Sequence, residues 1–283
     1  MIGHDAVAQK TYAYCRPEFE KKLLRGGIVL WAVEQLHLRR CTIDYVIDEL
    51  ANEKRASRHS RVRSNRSTVM HSVKTPPDPF SRNVGVLISG RGSNLQAIID
   101  AVAGKRLNAR VSVVISNVPD AAGLERAKRA GIETVVLDHR DKSRFPTRED
   151  YDRELARQLK ARDVRLVCLA GFMRLLTQAF LDEFPDAVVN IHPSLLPAFP
   201  GINAQYQAWE HGVKWTGATV HLVTSELDGG PIVMQETVPV KDSDDVDTLA
   251  TRILEREHHL YPLAIQLLLN GGWRVDGRRF LER

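Results

Sequence analysis

From Asn83 onward, short runs of β-branched and other apolar residues alternate with stretches whose apolar positions recur at helical spacing. Val84–Ser89 predicts a buried strand, Asn94–Ala103 a helix, Arg110–Ser116 a strand, Ala121–Ala130 a helix and Glu133–Leu137 a strand. Arg148–Arg162 predicts an amphipathic helix, with Tyr151, Leu155 and Leu159 four residues apart, and the apolar run Val164–Ala170 follows. Repeated β-α-β order implies an α/β fold built on a mostly parallel, doubly wound sheet with helices on both faces. Beyond Ala187–His192, Gly217–Thr224 and Pro231–Val240 read as two strands joined by a tight turn at Asp228-Gly-Gly-Pro231, giving an antiparallel edge in the C-terminal half. A long helix begins near Asp245, with apolar Val246, Leu249, Ala250, Ile253, Leu260, Ala264, Leu267 and Leu268. Pro262 is expected to bend it and Gly271-Gly272 to end it.

The first third of the chain has a different texture. Residues 1–50 carry apolar positions spaced for one or two short helices and no catalytic constellation. Residues 51–82 are rich in Arg and Ser and close on Thr75-Pro-Pro-Asp-Pro79, a linker composition that buries too little to offset the entropy of ordering. Residues 83–283 form the expected functional domain, and Met70 is an alternative natural start.

Charge sharpens this division. The chain of 283 residues carries +5, with a pI near 9.2 that ordinarily raises nucleic acid as a partner. Residues 1–50 hold seven positive and seven negative side chains, residues 51–82 eight and two, and residues 83–283 25 and 26. The excess belongs to the linker, and a solvated linker fits it better than a tether to nucleic acid or an anionic surface. Cys15, Cys41 and Cys168 are too few and too scattered for a disulfide framework or a zinc cluster, which favours a reducing, cytoplasmic compartment. Lys21, Lys22 and Arg25 before Ile28–Val33 mimic a signal peptide, but six apolar residues are too few for a signal core or a membrane span.

Chemistry is sought at the carboxyl ends of the strands. Ser89-Gly-Arg-Gly-Ser-Asn94 opens like a dinucleotide fingerprint, but Leu95 stands where the third glycine belongs. Two readings remain: an anion site, with Gly92, Ser93 and Asn94 at a helix N-terminus, or a Gly-rich turn with a helix cap. Asn190 and His192 project from one face of a buried strand, as a structural pair or as a reactive one. With His221 on the next strand and Asp228 after it, they supply the donors and the proton acceptor that acyl transfer needs. G-x-S-x-G is absent, which favours direct attack by a substrate amine. Glu257 lies on the apolar stripe of the long helix and needs either a ligand hydroxyl or amine or an internal Arg as partner. His258 and His259 read as helix-surface residues, and no metal-binding spacing is present.

Four segments together resemble the glycinamide ribonucleotide formyltransferase family of folate-dependent enzymes. They are Ser89-Gly-Arg-Gly-Ser-Asn-Leu-Gln-Ala-Ile98, Leu169-Ala-Gly-Phe-Met-Arg174, Asn190-Ile-His-Pro-Ser-Leu-Leu-Pro197 and Glu226-Leu-Asp-Gly-Gly-Pro231, and the likeness covers roughly 83–282. The resemblance implies formyl transfer from 10-formyltetrahydrofolate to the amine of glycinamide ribonucleotide in purine synthesis, with no metal. It implies that Gly92, Ser93 and Asn94 bind the acceptor phosphate and that Glu257 contacts its ribose. Met173, Arg174, Leu176 and Val223, Thr224, Ser225, Glu226, Leu227 and Asp228 match the folate pocket, while Asn190, His192 and Asp228 match the catalytic set, with His221 in support. The expected roles are oxyanion stabilisation by Asn190 and protonated His192, and proton relay by Asp228.

The sequence departs from the family pattern at Asn203, Gln205 and Tyr206, where some members have histidines and an arginine, and at Leu254, where relatives have a polar substrate contact. The implied partners are small molecules, with neither nucleic acid nor membrane, and the oligomeric state is left open. Formyltetrahydrofolate deformylase, a hydrolase with an N-terminal domain, is the near alternative, and the intact Gly-Ser-Asn loop favours a phosphate-bearing acceptor over it. Methionyl-tRNA formyltransferase would require a C-terminal tRNA-binding domain for which the chain is expected to be too short. A catalytically silent folate- or nucleotide-binding module is the alternative from another class.

Overall fold

The computed structural model describes residues 82–282. The expected extension over residues 1–50 and, apart from Arg82, the linker over residues 51–82 lie outside the described residues.

The expected alternation is present. In chain order come β1 (Asn83–Ile88), α1 (Ser93–Ala103), β2 (Arg110–Ser116), α2 (Ala122–Arg129), β3 (Thr134–Val136), α3 (Arg148–Lys160), β4 (Leu166–Leu169), α4 (Gln178–Glu183), β5 (Val188–His192), α5 (Ala204–Glu210), β6 (Trp215–Leu222), β7 (Ile232–Pro239), α6 (Val246–Asn270), β8 (Trp273–Asp276) and β9 (Arg279–Glu282). They form one nine-stranded sheet in the order β3-β2-β1-β4-β5-β6-β7-β9-β8. β1 to β5 run parallel, and the direction reverses at β6 and again at β7. The fold is therefore α/β with a mostly parallel sheet, and its antiparallel strands lie in the C-terminal half.

Side-chain alternation on β1 explains why a continuous apolar run was needed. Val84, Val86 and Ile88 pack on one face with Leu95 and Ile98 of α1 and Leu260, Ala264 and Ile265 of α6. Leu87 faces the other side, with Tyr151, Leu155 and Leu159 of α3 and Phe180 of α4. Local chemistry sets the helix starts. Thr147 and Asp150 make a reciprocal capping box on α3, and Asp245 accepts from the Thr248 amide at 2.8 Å to cap α6. Pro262 lies within α6 without interrupting it, and Gly271 follows its last residue.

Two expectations need correction. Asp228-Gly-Gly-Pro231 is the end of a nine-residue loop, 223–231, rather than a tight turn. Gly230 is required there because a Cβ would fall 1.8 Å from the Leu222 carbonyl oxygen, a close approach that imitates a hairpin signal in sequence. Nor does the β6–β7 pair form the edge: the terminal hairpin β8–β9 lies outside it, joined through the parallel pairing of Ile232 with Arg279. The short helices α4 and α5 and this hairpin had no clear periodic signal.

α6 is locked to the sheet by Tyr261, whose fully buried hydroxyl lies 2.9 Å from the Leu169 carbonyl oxygen of β4 and 3.0 Å from that of Val189 in β5. Tyr261→Phe should lower unfolding free energy by about 1–2 kcal/mol, because two buried carbonyls lose a donor. Urea unfolding of the two proteins measures this difference.

Candidate functional site

The carboxyl ends of β1, β4 and β5 carry the segments singled out by the sequence. After β1, Gly92 adopts φ +69° and begins α1 as its N-cap, and an added Cβ would stand 2.6 Å from Gly123 Cα of α2. Glycine is thus required by both backbone and space. α2 braces this loop further: the Gly123 amide donates to the Gly90 carbonyl at 3.0 Å, and Arg126 Nε donates to the Arg91 carbonyl at 2.9 Å. The Ser93 and Asn94 amides therefore belong to a fixed helix N-terminus, where the positive end of the dipole favours an anion.

Glu257 is buried, and among the described residues no Arg forms a salt bridge with it. Its residue is 5% accessible, and Asn94 Nδ2 donates to its Oε2 at 2.9 Å. Burial pushes the Glu257 carboxyl up to about 7 against the lowering effect of that bond. Asn94 Oδ1 is buried beside it with no partner, so this pair retains capacity for a hydroxyl donor. His258 is half-buried rather than on the open helix surface, and its Nε2 is buried without a partner.

The second group is centred on Asp228, at φ +48° in the loop after β6. Its Oδ2 lies 3.4 Å from His192 Nδ1 and accepts from the Gly201 amide at 2.8 Å, while Oδ1 lies 3.5 Å from His221 Nε2. Burial alone would raise the Asp228 carboxyl, but His221, His192 and the Gly201 amide together hold it below its ordinary value. Antiparallel pairing sets Asn190 of β5 opposite His221 of β6. Asn190 Nδ2 lies 3.1 Å from His221 Nε2, and His221 Nδ1 lies 3.0 Å from the Leu222 carbonyl oxygen. Nδ1 of His221 thus faces a backbone carbonyl, while Nε2 faces both the Asn190 carboxamide and the Asp228 carboxylate.

Burial drives the pKa of His192 below the usual histidine value, although Asp228 and the Phe199 carbonyl act in the opposite direction. Nε2 is 2.9 Å from the Phe199 carbonyl oxygen. Both ring nitrogens thus face acceptors, so neither N–H is open to a third group in this arrangement. Phe199 and Gly201, in the Pro-punctuated loop after β5, act through backbone atoms, a role that side-chain identity does not signal. Their loop is held by Thr219, whose hydroxyl donates to the Ser194 carbonyl at 2.6 Å and accepts from the Leu196 amide at 3.0 Å, and by Gln235, which donates to the Leu196 carbonyl at 2.9 Å.

The two segments matched to a folate pocket are the loops after β4 and β6. Met173 is 63% accessible, an apolar side chain held outside the core, whereas Leu176 is buried and Arg174 half-buried. Val223 and Leu227 are half-buried, and Thr224, Ser225 and Glu226 are exposed. The loop after β4 touches the glycine loop directly: the Ser89 amide donates to the Gly171 carbonyl at 3.1 Å, and the Met173 amide donates to Ser89 Oγ at 2.8 Å. Asn203, at φ +56°, precedes α5, and Leu254 is half-buried on α6. Among the described residues, no three His, Cys, Asp or Glu side chains gather as metal ligands, and no helix is long and apolar enough to cross a membrane.

A family model described as formyl transferase matches residues 82–265. Over 192 residues, 67% of this chain, the sequence is 50% identical to the trifunctional purine biosynthetic protein adenosine-3 of Drosophila melanogaster, and it spans 14% of that protein's length. It is 47% identical to the phosphoribosylglycinamide formyltransferase of Escherichia coli K12 over 196 residues, covering 69% of this chain and 88% of that one. Glycinamide ribonucleotide transformylase 1 from Symbiobacterium toebii matches in structure with a TM-score of 0.69 and 49% identity, over 74% of this chain and 98% of that one.

The raised Glu257 carboxyl has a consequence for stability. Below its ordinary value of 4.5 the group is protonated both folded and unfolded; between 4.5 and about 7 only the folded protein keeps the proton. Its contribution is therefore present at low pH and withdrawn as pH rises through that window, by up to about 3 kcal/mol. Glu257→Gln should remove this slope, so the variant should gain stability relative to wild type between pH 5 and pH 8. Urea unfolding of both proteins at the two pH values isolates the effect from the histidines, which titrate in both.

Proposed function

The chain belongs to the formyl transferase family, and on that premise we propose that residues 83–283 form a catalytic domain transferring a formyl group from 10-formyltetrahydrofolate to the amine of glycinamide ribonucleotide. The products are N-formylglycinamide ribonucleotide and tetrahydrofolate, a step of purine synthesis. The observation that carries this reading is the convergence of His192 and His221 on the Asp228 carboxylate, with Asn190 bonded to His221, at the same carboxyl-terminal end of the sheet as a loop built for an anion.

In this reading the Gly92, Ser93 and Asn94 loop holds the acceptor phosphate, and the Asn94–Glu257 pair receives a ribose hydroxyl at the open Asn94 Oδ1. Met173, Arg174, Leu176 and residues 223–228 take the folate. The neutral amine attacks the formyl carbon, the new C–N bond forms and the oxyanion develops on the formyl oxygen. Asn190 Nδ2 exchanges His221 for that oxygen and stabilises it. The amine proton passes to the His192–Asp228 pair, where an imidazolium is bracketed by the Phe199 carbonyl and the Asp228 carboxylate. It is returned to the folate nitrogen as the bond from that nitrogen to the formyl carbon breaks.

Other features favour direct attack over a covalent enzyme intermediate. Cys168 is fully buried, and burial pushes its thiol up. Ser89 Oγ donates to Asn117 Oδ1 at 2.6 Å, and Ser194 Oγ donates to the Ala198 carbonyl at 2.6 Å. Neither hydroxyl is paired with a general base.

Incubation of the purified protein with 10-formyltetrahydrofolate, with and without glycinamide ribonucleotide, tests the reading. Tetrahydrofolate release should require the acceptor; release without it would indicate a hydrolase, and none in either case a silent binding module. Asn190→Ala should lower kcat by about 10²–10³ with the protein still folded. Asp228→Asn should lower it comparably, and turnover within about threefold of wild type for either variant would remove that residue from the reaction.

A further inference from the structure

The loop from Gly171 to Thr177 is fastened at both ends, and the second fastening lies away from the reacting groups. Ser89 holds the first end through Gly171 and Met173. At the other end, Arg148, Tyr151 and Asp152 share one face of α3, being spaced three and four residues apart. Arg148 Nη2 donates to the Leu175 carbonyl at 2.8 Å. The Arg174 guanidinium stands over the Tyr151 ring, 4.7 Å from its centre. Asp152 Oδ2 accepts from the Thr177 amide at 2.6 Å, on the residue that begins α4.

Asp152 is the costly member of this face. Its residue is 1% accessible, and burial raises its carboxyl while the Thr177 amide, Arg174 and Arg148 oppose that rise. A carboxylate held in such a place carries a desolvation cost that an apolar side chain filling the same space would not. Two of the cations around it, Arg148 and Arg174, reach the loop backbone or belong to the loop. Among the described residues, the backbone amide that meets Asp152 is that of Thr177, where the loop ends.

We propose that Asp152 is a positioning residue for donor binding, fixing the backbone from Met173 to Thr177 without touching the donor. The proposal rests on the reading that Met173, Arg174 and Leu176 bind folate. With the Thr177 amide bonded to a buried carboxylate that also attracts Arg174, the loop is preorganised, and the folate pays less ordering entropy on binding.

The test compares wild type with Asp152→Ala and Asp152→Asn in steady-state transfer, varying each substrate, and in calorimetric titration with tetrahydrofolate. Asp152→Ala should raise the donor KM and the tetrahydrofolate Kd by about tenfold, the loss of one charge-assisted bond. Asp152→Asn, which keeps an oxygen for the Thr177 amide but loses the charge, should raise both by about threefold. The acceptor KM should stay within about twofold of wild type in both variants. Donor KM and tetrahydrofolate Kd unchanged in Asp152→Ala, or a rise shared equally by both substrates, would overturn the proposal. Where Asp152→Ala fails to fold, the Asp152→Asn result decides by the same criteria. A wild-type protein that binds tetrahydrofolate without acceptor-dependent transfer defeats the transferase reading while the Kd comparison still judges Asp152. A wild-type protein that binds none overturns both.

Discussion

The candidate site depends on keeping one carboxylate ionised in a nearly closed interior. Asp228 is drawn from a loop, and each group that holds it comes from a different segment: His192 from β5, His221 from β6 and the Gly201 amide from the Pro-punctuated loop between them. A buried charge is tolerated only when several donors are fixed around it. Fixing these requires the β5–β6 register, the Thr219 and Gln235 bonds that pin the Pro loop, and the left-handed backbone at Asp228 itself. The sheet around the site is thereby committed to one geometry.

What sequence alone could reveal follows from how locally each feature is encoded. The parallel core was legible because burial on two faces demands uninterrupted apolar runs, as in β1 and β4, and amphipathic α3 declares itself through Tyr151, Leu155 and Leu159. Asn190 and His192 on one face follow from alternation alone. The Asn94–Glu257 bond joins residues 163 positions apart, so neither residue announces the other, and the sequence offered only a ligand hydroxyl or amine or an internal Arg as partner. Phe199 and Gly201 contribute a carbonyl and an amide, groups that every residue but proline carries in full, so side-chain identity held no sign of them. The Asp-Gly-Gly-Pro segment misled because Gly230 answers a steric approach to Leu222 rather than a turn.

The two halves of the site are also joined through the interior. On α6, Glu257 and Tyr261 are one turn apart, so a single helix face meets Asn94 of the glycine loop and the carbonyls of Leu169 and Val189. Val189 immediately precedes Asn190, and Leu169 leads into the loop that ends on Asp152. The proposed acceptor end, reacting centre and donor loop are therefore referenced to the same rigid rod.

The reversal of direction between β5 and β6 separates two kinds of inheritance within the site. His221 and Asn190 sit inside a hydrogen-bonded ladder, so their spacing is insensitive to the length of the surrounding connections. Residues 223–227, before Asp228, lie on a connection, where insertions and substitutions are tolerated far more freely. A lineage can thus reshape the rim that meets one substrate while the partners of the Asp228 carboxylate stay in register, which makes this fold receptive to new ligands at little risk to its chemistry.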